Sequence, residues 1–463
     1  MQIISTQFLF FSIVVVAIYY LLTRRAQNIW LLLASYFFYA LLSWKFFLAL
    51  VLITAINYFI GRKVLSRGWL ALGLLINLGA FSALKLLSGP YGPRLVGDGV
   101  APDALALLLP IGFSFYILQA ISYQLDIHRG QAKPAQNFVD FALYLSYFPK
   151  LLAGPIERPT RFLSALEADR RVDNESLARG LGLVCVGVLR KVIIADRLNS
   201  FLPATIFSDP ASFSSLEKLL WLLVFTFGLY NDFAGYTNIV RGLSALMGIE
   251  LSPNFRQPFF AQSISDFWTR WHISLSFWLR DYIFFPARRW LLQRRWPQWT
   301  AMILPPMLTM LASGFWHGAY ATVLAWGALH GLFLISEQLL KISAARTGAK
   351  LRAIVASLFV FALTTLALAV FASSSLRAAG AYIFGLFSFS VGFSQIYIPW
   401  PDIILSIAFS FWFDWQEAKH ESDAFFVKWT PRAQAWGFAI VIWLFILFLG
   451  PQAEAITFVY QGF

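Results

Sequence analysis

Three histidines stand where apolar surroundings make an idle polar group expensive. His272 and His317 each follow a tryptophan, in DFWTRWHISLS (266–276) and SGFWHG (313–318), and His330 closes the next apolar run. An imidazole exchanges a proton near neutral pH, and an ionisable side chain inside membrane-depth sequence marks a functional site by default. The competing role for a buried histidine is an interhelical hydrogen bond, and that is the expectation for His330. Composition alone leaves His272 and His317 open between the two roles. Helical spacing sets Asp266 before Arg270 in the favourable order. It also puts His272, Ser276 and Leu279 on one face. Gly318 suggests that His317 lies at a helix end or kink. His330 then falls far round a helix from His317 and need not face the same cavity, at about 100° per residue.

The elements that carry these groups are apolar. The chain has 463 residues, of which 59% are hydrophobic and only 13% charged, too few charges to cover a soluble protein of this size. Apolar runs recur at 8–22, 29–42, 46–60, 105–125, 219–230, 353–371 and 435–449. A helix crosses the hydrocarbon core with ~20 apolar residues. The expected fold is therefore an all-α polytopic membrane protein of roughly ten to twelve transmembrane or re-entrant helices, a single domain over residues 1–463. Alternating strands of a β-barrel are not seen. The run at 8–22 has no basic segment before it and no small-residue cleavage site after it, so it reads as a retained span.

The net charge of +13 would suggest nucleic acid in a soluble protein. Here the basic residues sit in short loops, where they mark the cytoplasmic side. Arg24 and Arg25, then Arg62, Lys63 and Arg67, follow alternate spans. That parity places the N-terminus outside. The loop at 89–102 and its exit carry Arg94, Asp98 and Asp103 without basic excess, as an external loop should. Basic loops at 288–295 and 341–352 are expected inside. His128 reads as a solvated or interfacial loop residue. Cys185, the single cysteine, excludes an intrachain disulfide and reads as packing. No HExxH or Cys/His cluster suggests a metal.

Two polar interruptions stand out. Pro149, Gly154 and Pro155 break a would-be span ahead of Arg158, Arg161, Arg170 and Arg171, and broken backbone at depth must be buried in protein or line a wet cavity. Asn231, Asp232 and Asn238 interrupt the run at 219–230, with Gly235 allowing close helix approach. Asp232 either pairs with an arginine or lines a cavity. The depth of Arg190-Lys191 is open.

Taken in order, ASYFFY (34–39), LPIGFSFY (109–116), AGPIER (153–158), DFAGY (232–236), NFRQP (254–258), FWTRWHISLS (267–276), GFWHG (314–318) and the aromatic FVYQGF (458–463) resemble the membrane-bound O-acyltransferase family. The likeness is strongest to its bacterial branch, which serves alginate O-acetylation and teichoic-acid D-alanylation. The resemblance implies helices around a central tunnel and no permanently bound cofactor. The donor would be a cytoplasmic acyl thioester, acetyl-CoA or an acyl carrier, meeting a hydroxyl acceptor. His317 matches the family's essential histidine, suited to take the hydroxyl proton. His272 matches its second polar position, orienting or polarising a substrate. Asn231, Asp232, Trp271, Ser276 and Trp316 would line the tunnel, which protects the thioester from water. The implied setting is the bacterial inner membrane, with lipid around the chain, an extracytoplasmic acetyltransferase as partner and no nucleic acid. Acetyl transfer to an exported polysaccharide is the first expectation. D-alanyl, lipid or protein acylation and a transporter or flippase are the alternatives, although no internal duplication of the transporter kind is found. PARRW (286–290) and Asn238 depart from the alginate-type pattern and leave the acceptor open.

Overall fold

A computed structural model describes residues 5–92, 95, 108–170, 173–340, 350–390, 392 and 398–448. Arg94, Asp98, Asp103, Arg171, residues 341–349 and the terminus at 458–463 lie outside the described residues. Within them the fold is helical throughout and contains no strand. Three helices, Trp44–Gly61, Arg67–Leu87 and Leu351–Ala372, are long and apolar enough to cross a membrane. Thr6–Tyr20 is apolar but has 15 residues.

The spans are dressed for lipid. Leu48, Leu52 and Phe59 on one helix and Leu72, Leu75 and Leu78 on the next face outward and are exposed. Their inner faces carry Asn57 and Asn77, both fully buried. The two amides exchange hydrogen bonds of 3.0 and 2.8 Å, and Gln124 Nε2 donates to Asn57 Oδ1 at 2.6 Å. Between lipid-exposed helices the hydrophobic effect gives little drive, so small residues and polar pairs hold the contact.

Two compact units are built from interleaved segments. The first comprises Met1–Leu189, Phe233–Pro253 and the stretch from Ser422; the second comprises Arg190–Asp232 and Asn254–Glu421. The helix Ser215–Ala245 supplies its beginning to the second unit and its end to the first.

In the first unit the broken segment is real. Helix Phe138–Ser146 stops, a single turn Phe148–Leu151 follows, and irregular chain leads to Pro159, which opens Pro159–Glu167. Its backbone is buried and its polar groups are supplied from elsewhere, as depth requires. Phe148 N donates to Ser35 Oγ at 3.0 Å, Ala153 N to Tyr236 Oη at 3.1 Å, and Tyr144 Oη to Glu157 O at 2.9 Å. Gly235 does allow close approach: a Cβ on Gly187 would stand 2.7 Å from its carbonyl oxygen. His128 ends helix Phe113–His128 and bonds Val64 O through Nδ1 at 2.8 Å. Cys185 is a half-buried free thiol.

Candidate active site

The second unit holds all three candidate histidines. Helices Gln298–His317 and Ala321–Leu339 form a tight hairpin. A Cβ on Gly314 would stand 2.5 Å from Val323 O, and one on Gly327 2.4 Å from Met310 O. Only glycine lets the two backbones come so near. His317 is the last residue of its helix, as Gly318 predicts, and is buried with 6% of its surface exposed. The hairpin sets its ring edge-on to Trp326 and Phe371, at centroid distances of 5.4 and 5.2 Å.

His330 corrects an expectation. It packs on the same Trp326, at 5.0 Å, and against Trp268 at 5.1 Å and Phe267 at 6.3 Å. The angular argument assumed one continuous helix, whereas the chain reverses at 318–320 and brings His330 back into the His317 cluster. No interhelical hydrogen bond reaches its buried Nδ1 among the described residues; aromatic packing holds the ring instead.

His272 is built differently. It does not share a helical face with Ser276, because it precedes the helix Ile273–Leu279 and adopts left-handed backbone, φ 42° and ψ 54°. A non-glycine residue held there stores strain of about 1–3 kcal/mol and persists only when its surroundings enforce it. Asn254 does the enforcing: its carbonyl accepts from Ile273 N at 2.9 Å and its Oδ1 from Ser274 N at 3.3 Å. Arg256 N adds a bond to Arg270 O at 3.0 Å. Glu337 Oε2 accepts from Ile264 N at 2.6 Å and Ser265 N at 3.2 Å, capping the short helix Ile264–Trp268. The Asp266–Arg270 pair forms, at 2.7 Å. His272 ends with 1% of its surface exposed.

Trp316 joins the two histidines. Its ring lies 5.5 Å from His272 and 4.8 Å from His317. Trp271 packs instead on Tyr230, Phe255, Phe259 and Phe267. Ser276 Oγ donates to Trp271 O at 3.0 Å. Asn231 and Asp232 are fully buried in an ion network, and the cation on Asp232 is Lys191 at 2.7 Å, not an arginine. Lys191 also meets Asp196 at 2.5 Å, and Arg190 and Lys191 are both 1% exposed, buried within the protein. Sequence reasoning did not single out Asn254, Trp326 or Phe371. The NFRQP motif was the available signal for the first.

Apolar helices long enough to span a membrane, together with a pair of buried histidines packed on one tryptophan, are the features to set beside known proteins. The chain belongs to the membrane-bound O-acyltransferase family, whose profile it matches over residues 6–373, and it is an O-acyltransferase. It is 35% identical over 399 residues to the probable alginate O-acetylase of Pseudomonas syringae pv. tomato, covering 83% of this chain and 75% of that protein. It is 31% identical to the peptidoglycan O-acetyltransferase of Helicobacter pylori, over 68% and 66% of the two chains. The teichoic acid D-alanyltransferase of Bacillus subtilis is 29% identical over 48% of this chain and 58% of its own.

Proposed function

We propose that this O-acyltransferase takes an acetyl group from a cytoplasmic thioester and passes it across the membrane to hydroxyls of an exported or cell-surface polysaccharide. The observation that supports it is the meeting of His272 and His317 on Trp316, in side chains withdrawn from water. In this reading the acceptor oxygen attacks the thioester carbon and the carbon–sulfur bond breaks. His317 takes the hydroxyl proton and returns it to the departing thiolate. His272 orients the acceptor or the thioester carbonyl. Asn231, Asp232, Trp271, Ser276 and Trp316 belong to the walls of a central tunnel or to their support. Acetyl is preferred to D-alanyl because the relatives named for acetyl transfer cover more of this chain.

The same proposal sets the chain in a bacterial inner membrane as one domain of ten to twelve transmembrane or re-entrant helices, N-terminus outside. An acetyl-CoA or acyl-carrier donor serves it from within, and an extracytoplasmic acetyltransferase partner completes transfer. The family match runs through both interleaved units, which favours one working domain. The test is His317→Gln, read as ester-linked acyl groups at the cell surface per unit of folded protein. Loss of a general base costs ~10² to 10⁴-fold at unchanged abundance. Substantial specific activity in that variant refutes the assignment.

A further inference from the structure

A buried charge network lies one layer behind His272. Arg190, 1% exposed, donates from Nη2 to Asp414 Oδ1 at 2.7 Å and to Glu417 Oε1 at 2.9 Å, and from Nη1 to Asn231 Oδ1 at 3.0 Å. Asn231 Nδ2 reaches Ser410 Oγ at 2.8 Å, and Tyr230 Oη donates to Asp414 Oδ1 at 2.7 Å. Removing charges from water is costly, and replacing such a network by apolar residues is often neutral or stabilising. Stability alone is therefore a weak reason for it.

Two contacts carry the network to the His272 loop. Glu417 Oε2 accepts from Gln257 Nε2 at 3.0 Å. Gln257 is itself left-handed, φ 42°, within the 254–258 segment whose backbone and Asn254 side chain bond residues 270, 273 and 274. Tyr230, held by Asp414, packs on Phe255 at 5.4 Å and on Trp271 at 6.0 Å. Two non-glycine left-handed residues, Gln257 and His272, are thus carried by neighbouring strands of irregular chain that bond each other. One of them is fastened directly to a buried carboxylate. We infer that Gln257 and Glu417 are positioning residues that hold His272 in its strained conformation, with Arg190 fixing Glu417. The inference rests on the proposed part played by His272 in acyl transfer.

The test uses the full chain in its native host. It reads ester-linked acyl groups released from the cell surface by mild alkali, per unit of detergent-extracted, monodisperse protein. Gln257→Asn keeps a residue that tolerates left-handed backbone but is too short for Glu417; about a tenfold loss is expected, one charge-assisted hydrogen bond's worth. Gln257→Glu sets carboxylate against carboxylate and should lose more. Adding Glu417→Gln to it exchanges donor and acceptor across the pair, and should restore activity to within about threefold of wild type, the error allowed for a well-compensated pair. In a His272→Ala background Gln257→Asn should cost nothing further. Full activity in Gln257→Asn, no rescue by the exchanged pair, or a further loss on top of His272→Ala overturns the inference. Full activity in His272→Ala alone instead overturns the role given to His272, and rescue by the exchange would still report the coupling of residues 257 and 417.

Discussion

The two Trp-His elements are held by opposite means. His317 ends a regular helix whose position is set by backbone-to-backbone contact at Gly314 and Gly327. His272 sits in irregular chain, its backbone left-handed, secured by hydrogen bonds that Ile273 N and Ser274 N donate to Asn254, with Glu337 capping the preceding short helix. Helix packing tolerates almost no added volume. A hydrogen-bonded loop tolerates volume but not the loss of one partner, because an orphaned buried N–H costs ~1–3 kcal/mol. The supports of the two dipeptides therefore fail in different ways: the glycine contacts behind His317 by loss of the protein, the loop bonds around His272 by loss of aim.

That contrast can be broken experimentally. The largest effect should come from Gly327→Val, which drives a side chain into Met310 O. Overpacking costs ~1–3 kcal/mol or more where backbone is the obstacle, so membrane abundance and detergent-extracted melting temperature should both fall. Normal abundance would show that the hairpin can spread. Next comes Asn254→Ala, which leaves Ser274 N without its side-chain acceptor. Abundance should hold while specific activity drops ~10²-fold, the effect of a 1 Å misplacement. If abundance and activity fall together, the loop is structural and the comparison collapses. Trp316→Leu removes ring contacts to both histidines. Each aromatic contact contributes ~0.5–1.5 kcal/mol, so a loss of about tenfold in specific activity is expected, and none would mean that Trp316 does not relay position. The smallest effect should be His330→Phe, a swap of similar volume within an aromatic cluster, at under ~1.5 kcal/mol. Loss of acyl transfer at full abundance in that variant would give His330 a chemical part.

Local signals carried much of this in the sequence and long-range ones did not. Gly318 announced the helix end at His317, Pro149 and Pro155 announced the break, and Asp266 and Arg270 paired at their helical spacing. The face-sharing of His272 and Ser276 failed because periodicity presumes a helix, and residues 269–272 have none. The angle drawn from His317 to His330 failed for the same reason, since the chain reversal between their helices resets it. The partners of Asn231, Asp232 and Arg190 were illegible: Asp414 and Glu417 lie far along the chain, and nothing local tells one buried carboxylate from another. Their presence within apolar 400–420 was itself a sign of interior function. Lipid-facing residues such as Leu48 and Leu52 were legible as apolar but not as outward.

The interleaving of the two units has a consequence in time. Arg241, 4% exposed, belongs to the first unit and is paired with Asp423 at 2.5 Å. Between them in the chain lies the histidine-bearing part of the second unit, Asn254–Glu421. A ribosome adding ~5–20 residues per second reaches Asp423 on the order of ten to thirty seconds after Arg241. Until then Arg241 lacks the counter-ion that pairs with it in the finished protein, where it also donates to Leu251 O at 3.2 Å. The first unit is therefore not complete until the whole of Asn254–Glu421 has been synthesised. A ribosome stalled anywhere in residues 254–421 leaves the first unit without the segment from Ser422 that supplies Asp423.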